Sequence, residues 1–228
     1  WEEYWKNYRY DKVPRKVVFD KFVPKLATGN NLIEIGGFPG VFSAYFYRQG
    51  IRDVTILDFY INTGIVRKFE EINDLPGVSI QGIDSDFFAF TTEKRYDVVF
   101  SSGCIEHVED TRDVIRRHVD LLSQKGQLLI LIPNFRGLNG KIQQRFDREN
   151  LEAHNLKSME IPSLKEIMRT FGLSEISVDY IGKPMVWLEP KSENQNKRKW
   201  VKILSYAIKL IPVKSKFLSP YIAIYATK

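Results

Sequence analysis

The residues with the most chemistry in them fall at the ends of apolar runs. Leu32-Ile33-Glu34-Ile35-Gly36-Gly37-Phe38-Pro39-Gly40 reads as a buried strand, a tight turn and the start of a helix. Glycine lets a main chain approach a ligand closely, and a helix start adds the positive end of a dipole. A pyrophosphate-binding loop of the G-x-G-x-x-G type would need glycine at 38 and 41, where Phe38 and Val41 stand, so a dinucleotide is excluded. Asp58 closes the next strand, Val54-Thr55-Ile56-Leu57-Asp58, one strand–helix–strand step beyond Glu34. A carboxylate there can accept two hydrogen bonds from ribose hydroxyls; alone, it could equally cap the following helix. His107 follows the run Tyr96-Asp97-Val98-Val99-Phe100. Histidine titrates near neutrality, so His107 is a candidate general base, with packing of a turn as the alternative.

These residues need a scaffold, and the rhythm of the chain supplies one. Strand-like runs at 31–35, 53–58, 78–81, 96–100 and 126–132 alternate with helical segments at 41–49, 62–73, 111–122 and 163–171. That alternation predicts an α/β fold with a parallel sheet and helices on both faces. Two further strands, 173–181 and 221–227, lack the crossover spacing and predict an antiparallel hairpin at the sheet's end. With 228 residues, one domain is expected: cap helices over 1–29, a cofactor-binding core over 30–132, an acceptor-side loop over 133–160, and a basic helical insertion over 182–220.

The ordered set Glu34-x-Gly36-x-x-x-Gly40, Asp58, Tyr96-Asp97-Val98-Val99…Ile105-Glu106-His107-Val108-Glu109-Asp110 and Leu121-Leu122-Ser123-Gln124-Lys125-Gly126-Gln127-Leu128 resembles class I S-adenosylmethionine-dependent methyltransferases. Within them it is similar to the small-molecule enzymes typified by ubiquinone biosynthesis, over roughly residues 30–135. Phe38 departs from the middle glycine of that family's first motif. The resemblance implies a Rossmann-like, seven-stranded fold, S-adenosylmethionine as cofactor and S-adenosylhomocysteine as product. It implies cofactor contacts from Glu34, Gly36, Gly37, Gly40, Asp58 and Ser101. An acid after the third strand would receive the adenine amino group, with Asp84 the first choice and Asp86 its rival. Some relatives bind a divalent metal with E-x-x-E-H; here Gly103 replaces the first glutamate, so no metal is expected.

The acceptor is read from what surrounds this core. The D/N-P-P-Y/F motif of base-amino methyltransferases is missing, since Ser101-Ser102-Gly103-Cys104 occupies its place. Cys104 lacks the Pro-Cys setting of a pyrimidine-methylating nucleophile and reads as a structural thiol. Arg136 and Arg145, on the stretch after the fifth strand, could hold a phosphate or carboxylate of the acceptor, or simply be solvated. Trp1, Tyr4, Trp5 and Tyr8 form an i, i+3, i+4, i+7 stripe that packs on a core, and in such enzymes also covers the active site; Trp5 is the candidate substrate contact. The expected activity is O-methylation of a small molecule or saccharide, with a membrane-linked intermediate as one form of acceptor. RNA or protein methylation, or a catalytically inactive binding module, are the alternatives.

Charge narrows the partners. From Lys191 to Lys216 there are eight basic residues and one acidic, a net of +7 in a chain of net +6. The basicity therefore belongs to one element, which argues against a nucleic-acid surface over the whole domain. Residues 197–211 predict an amphipathic helix stopped by Pro212, with Trp200, Leu204, Ala207, Ile208 and Ile211 on one face. Such a helix either meets an anionic membrane or packs on the protein itself or a second subunit. One cysteine and no signal-like start suggest a reducing, cytoplasmic setting, at the inner membrane face if the helix is interfacial.

Overall fold

A computed structural model describes residues 10, 12–75, 77, 80–189 and 195–228. Seven strands form one sheet: β1 (Asn31–Ile35), β2 (Asp53–Asp58), β3 (Ile80–Asp84), β4 (Tyr96–Ser102), β5 (Leu122–Pro133), β6 (Ser174–Ile181) and β7 (Tyr221–Thr227), in the order β3-β2-β1-β4-β5-β7-β6. β1 pairs in parallel with both β2 and β4, and β2 with β3. The chain thus starts mid-sheet, winds one way to β3, and then resumes on the other side of β1. That reversal leaves a crevice at the carboxyl ends of the strands, the usual ligand position in open α/β sheets. β7 runs against β5: the Lys228 amide reaches Gly126 O at one end, and the Asn134 amide reaches Pro220 O at the other. The mixed sheet with antiparallel C-terminal strands is the fold that the alternation of runs predicts.

The helices are α1 (Val23–Leu26), α2 (Val41–Arg48), α3 (Thr63–Ile72), α4 (Thr111–Asp120), α5 (Leu138–Phe146), α6 (Arg148–Glu152), α7 (Ile161–Arg169) and α8 (Gln195–Ile208). Two expectations need correction. The stretch 133–160 is not an irregular loop: it carries α5, α6 and a 3₁₀ turn, Leu156–Met159. Leu138, Ile142 and Phe146 recur at helical spacing and pack beside buried Val186, Leu188 and Val201, which outweighs the loop-like Asn, Gly and Arg around them. β5 also begins earlier than residue 126, because Leu121 O accepts the Tyr96 amide at 2.8 Å and ends α4 there. The N-terminal aromatic stripe, Trp5 included, and the first residues of the expected third strand lie outside the described residues.

Two compact units can be distinguished, one made of residues 1–102, 117–129 and 227–228, the other of 103–116 and 130–226. In the first, Phe19, Phe46 and Phe100 form a fully buried aromatic cluster, with ring centroids 5.2–5.7 Å apart. Leu32, Ile33, Val54, Ile56, Val98 and Val99 complete the sheet's interior there. Burying each such side chain contributes about 1.5–3 kcal/mol, which holds the glycine loop's strand rigid. In the second unit, Met159, Leu164, Met168, Val178 and Ile222 are buried, and Trp187 stacks on Tyr221 at 5.5 Å.

Candidate cofactor and acceptor sites

The first unit gathers most of the expected cofactor residues at the ends of β1, β2 and β3. β1 leaves the sheet at Gly36, whose backbone takes φ +69°, a left-handed conformation costly for other residues. A side chain at Gly36 would meet nothing within 4 Å, so the loop is open on that side. Gly37 is required for a different reason: a Cβ there would fall 2.3 Å from Cδ of Glu34. Gly40, at φ +110°, precedes α2 and could not carry a Cβ without meeting Ile56 Cδ1 at 2.9 Å.

Glu34 does not point outward. Its carboxylate lies buried beneath the loop and accepts from the Ser43 amide at 2.8 Å and the Ser43 hydroxyl at 2.5 Å. Ser43 is the third residue of α2, and Gly40 has no side chain with which to cap it. Glu34 therefore satisfies the orphan amide from below, as a cap displaced by one strand. Burial pushes its carboxyl up to about 7, against the lowering pull of the two Ser43 bonds.

Asp58 ties the second strand to the same loop. Its Oδ2 accepts from the Phe38 amide at 3.1 Å and its Oδ1 from the Tyr60 amide at 3.4 Å. Desolvation raises its pKa, opposed by those amides, with Asp84 adding a smaller upward push. Asp84 is paired in register with Asp58, is exposed, and accepts from the Ile61 amide at 3.4 Å. Its rival Asp86 accepts from the Phe88 amide at 2.8 Å, an arrangement that starts a turn. Ser101, paired with Ile35 across β1 and β4, is fully buried, and its hydroxyl lies 3.0 Å from Nε2 of buried His118. Phe87 packs edge-on against His118 at 4.9 Å. A ligand would therefore meet main chain rather than the Ser101 hydroxyl. His118 is a polar core residue the sequence reading missed; its position within α4's apolar stripe is the only signal.

The second unit holds the candidate acceptor chemistry. Ile105–His107 forms a 3₁₀ turn after Gly103. Asn155 clamps it: its amide donates to Glu106 O at 2.7 Å and its side chain to Val108 O and Glu109 O, both at 3.0 Å. His107 is exposed, with Nδ1 3.3 Å from Ala153 O. A carbonyl only accepts, so Nδ1 carries a proton, and in the neutral ring Nε2 keeps the lone pair. His154 is placed likewise, Nδ1 lying 2.6 Å from Asn150 O and its ring 4.5 Å from that of His107. Burial lowers its pKa and favours the neutral ring, as does the neighbouring His107. Glu106 is buried, burial pushes it up to about 7, and its Oε2 has no hydrogen-bond partner among the described residues.

Ligand atoms of Glu106, His107 and His154 lie within 4.8 Å of one another. The absent first glutamate had argued against a metal; His154, 47 residues beyond His107, supplies a third donor that a local motif does not reveal. Two imidazoles and a carboxylate form a donor set that a divalent transition metal accepts. The expected substrate arginines are placed differently. Arg136 is held by Glu160 at 2.7 Å, and Arg145, exposed on the outer side of α5, lies over the Phe146 ring at 5.3 Å.

A mid-sheet glycine loop with acids closing the next two strands, on a seven-stranded sheet ending in an antiparallel pair, defines a class I methyltransferase. The chain belongs to the methyltransferase-domain family, which it matches over residues 4–178, and its cofactor is S-adenosylmethionine. Among solved structures it is similar to an S-adenosylmethionine-dependent methyltransferase from Archaeoglobus fulgidus, at 19% identity over 91% of this chain and 90% of that one, TM-score 0.58. It is similar to the N-methyltransferase NodS of Bradyrhizobium japonicum bound to S-adenosylhomocysteine, at 14% identity over 91% and 84%, TM-score 0.53. A third is the plantazolicin methyltransferase BpumL with a desmethyl-plantazolicin analogue and S-adenosylhomocysteine, at 14% identity over 94% and 86%, TM-score 0.60. No curated protein matches closely enough to count as a relative.

Proposed function

We propose that this protein methylates a hydroxyl oxygen of a small molecule or saccharide, with His107 as general base. The observation that carries the reading is the state of His107: exposed, its Nδ1 engaged by Ala153 O, its Nε2 free to take a proton. The cofactor supplies a sulfonium-activated methyl group, so the protein's tasks are positioning and proton removal. Asp58 would accept from the ribose hydroxyls, Asp84 from the adenine amino group, and the open side of Gly36 would admit the amino-acid end. Glu34 would act from beneath, holding the α2 start towards that end. His107 Nε2 would take the acceptor's proton as the oxygen–methyl bond forms and the carbon–sulfur bond breaks.

Acceptor screening with methyl-labelled cofactor tests this. Label transferred to a hydroxyl compound, and lost in His107→Ala, supports it. Transfer only to RNA, to protein or to nitrogen acceptors replaces it. Cofactor binding with no acceptor at all would favour a binding module.

A further inference from the structure

The amphipathic helix does two things at once. One stripe of α8, Val201, Ser205 and Ile208, faces inward: Val201 is buried with Val186 and Leu188, and Ser205 Oγ accepts the Val186 amide at 3.2 Å. This satisfies the packing requirement, yet it leaves a second apolar stripe uncovered. At 100° per residue, Trp200, Ile203, Leu204 and Ala207 share a face pointing away from Val201, and Leu210 and Ile211 follow in the turn after the helix. Trp200 is 74% exposed and Leu210 84%, with Ile203, Leu204 and Ile211 also exposed. Past Pro212, Val213 and Phe217 are also exposed.

Cations flank that stripe. Arg198, Lys199, Lys202 and Lys209 line a cleft of about 510 Å³ between α8 and the segment 185–188, with Trp187 and Tyr206 among its walls. From 195 to 216 the described chain has seven basic residues and no acidic one. None of the seven belongs to an ion pair among the described residues. A free soluble anion would account for the cleft but not for the aromatic and aliphatic surface beside it. A partner protein's groove would not need so many unpaired charges.

We infer that α8 and the following turn dock on an anionic lipid surface, headgroup phosphates entering the cationic cleft while the Trp200–Leu210 stripe enters the acyl boundary. The inference does not depend on which acceptor is methylated. Among the described residues no helix is long and apolar enough to cross a membrane, so this is attachment in the interface.

Flotation of the whole chain with phosphatidylcholine vesicles, with and without phosphatidylglycerol, tests it. The protein should float with the anionic vesicles only, and less as salt rises from roughly 0.1 to 1 M. Lys199→Glu with Lys202→Glu should lower the partition coefficient by at least about tenfold. Trp200→Ser with Leu210→Ser should do the same while leaving the cations in place; unchanged thermal melting confirms that both variants are folded. Recovery in the soluble fraction with both vesicle types overturns the inference. So does binding that the apolar variant leaves intact and free glycerol phosphate displaces, since that assigns the cleft to a soluble anion.

Discussion

Ser43 donates both its main-chain amide and its hydroxyl to the buried Glu34 carboxylate, at 2.8 and 2.5 Å. The acid that opens the glycine motif is thereby an internal cap for α2. Its burial pushes it up to about 7, and Glu106 is raised to a similar value by the same cause. In the unfolded chain both would titrate near the ordinary glutamate value of 4.5. Between those limits the folded protein holds more protons than the unfolded chain, so stability falls as pH rises through that window. Thermal unfolding should show a melting temperature that declines from pH 4.5 to 7. Glu34→Gln should flatten the decline, so that its melting temperature gains on the wild type as pH rises. A variant that tracks the wild type in parallel would mean that Glu34 is ionised throughout.

The loop's glycines should differ in their tolerance. Gly37→Ala places a methyl group 2.3 Å from Glu34 Cδ, so that side chain must leave Ser43. Overpacking of this kind costs about 1–3 kcal/mol, and cofactor affinity should fall with it. Gly36→Ala meets open space and bears only the backbone strain at φ +69°, about 1–2 kcal/mol. Chemical denaturation with cofactor-product titration separates the two. Equal binding by Gly37→Ala and the wild type would show that Glu34 has another position to occupy.

His107→Ala should lower turnover by about 10²–10⁴-fold and leave cofactor affinity unchanged. Because Glu106, His107 and His154 can also chelate, the same assay with EDTA is the necessary companion. As a base, His107 needs no metal, so chelation should leave the rate as it was. A rate lost on chelation and restored by a divalent ion would convert the cluster from a proton acceptor to a metal centre.

The framework was legible because β1 and β2 are short apolar runs closed by a glycine or an acid, Leu32–Gly36 and Val54–Asp58. The helices after β5 were not, because Leu138, Ile142 and Phe146 are separated by Asn139, Gly140 and Gln143, which read as loop. Asn139 and Gln143 are buried and bond to Trp187, Asn139 Oδ1 accepting from its amide and Gln143 Nε2 donating to its carbonyl. Polar residues with internal partners look solvated in a sequence. His154 carries no local signal, since Glu106 and His107, which the fold brings beside it, are distant in the chain. On α8 the spacing gave an apolar face but not its fate: Val201 packs inside and Trp200, its neighbour, does not.

The central claim is that the carboxyl ends of β1, β2 and β3 hold S-adenosylmethionine, with Asp58 on the ribose. Calorimetric titration with S-adenosylhomocysteine, wild type against Asp58→Ala, tests it most directly. Charge-assisted hydrogen bonds contribute about 1.5–3 kcal/mol each, so saturable one-to-one binding by the wild type should weaken by roughly tenfold or more in the variant. Equal affinity in the two proteins, or no binding by the folded wild type, would contradict the account.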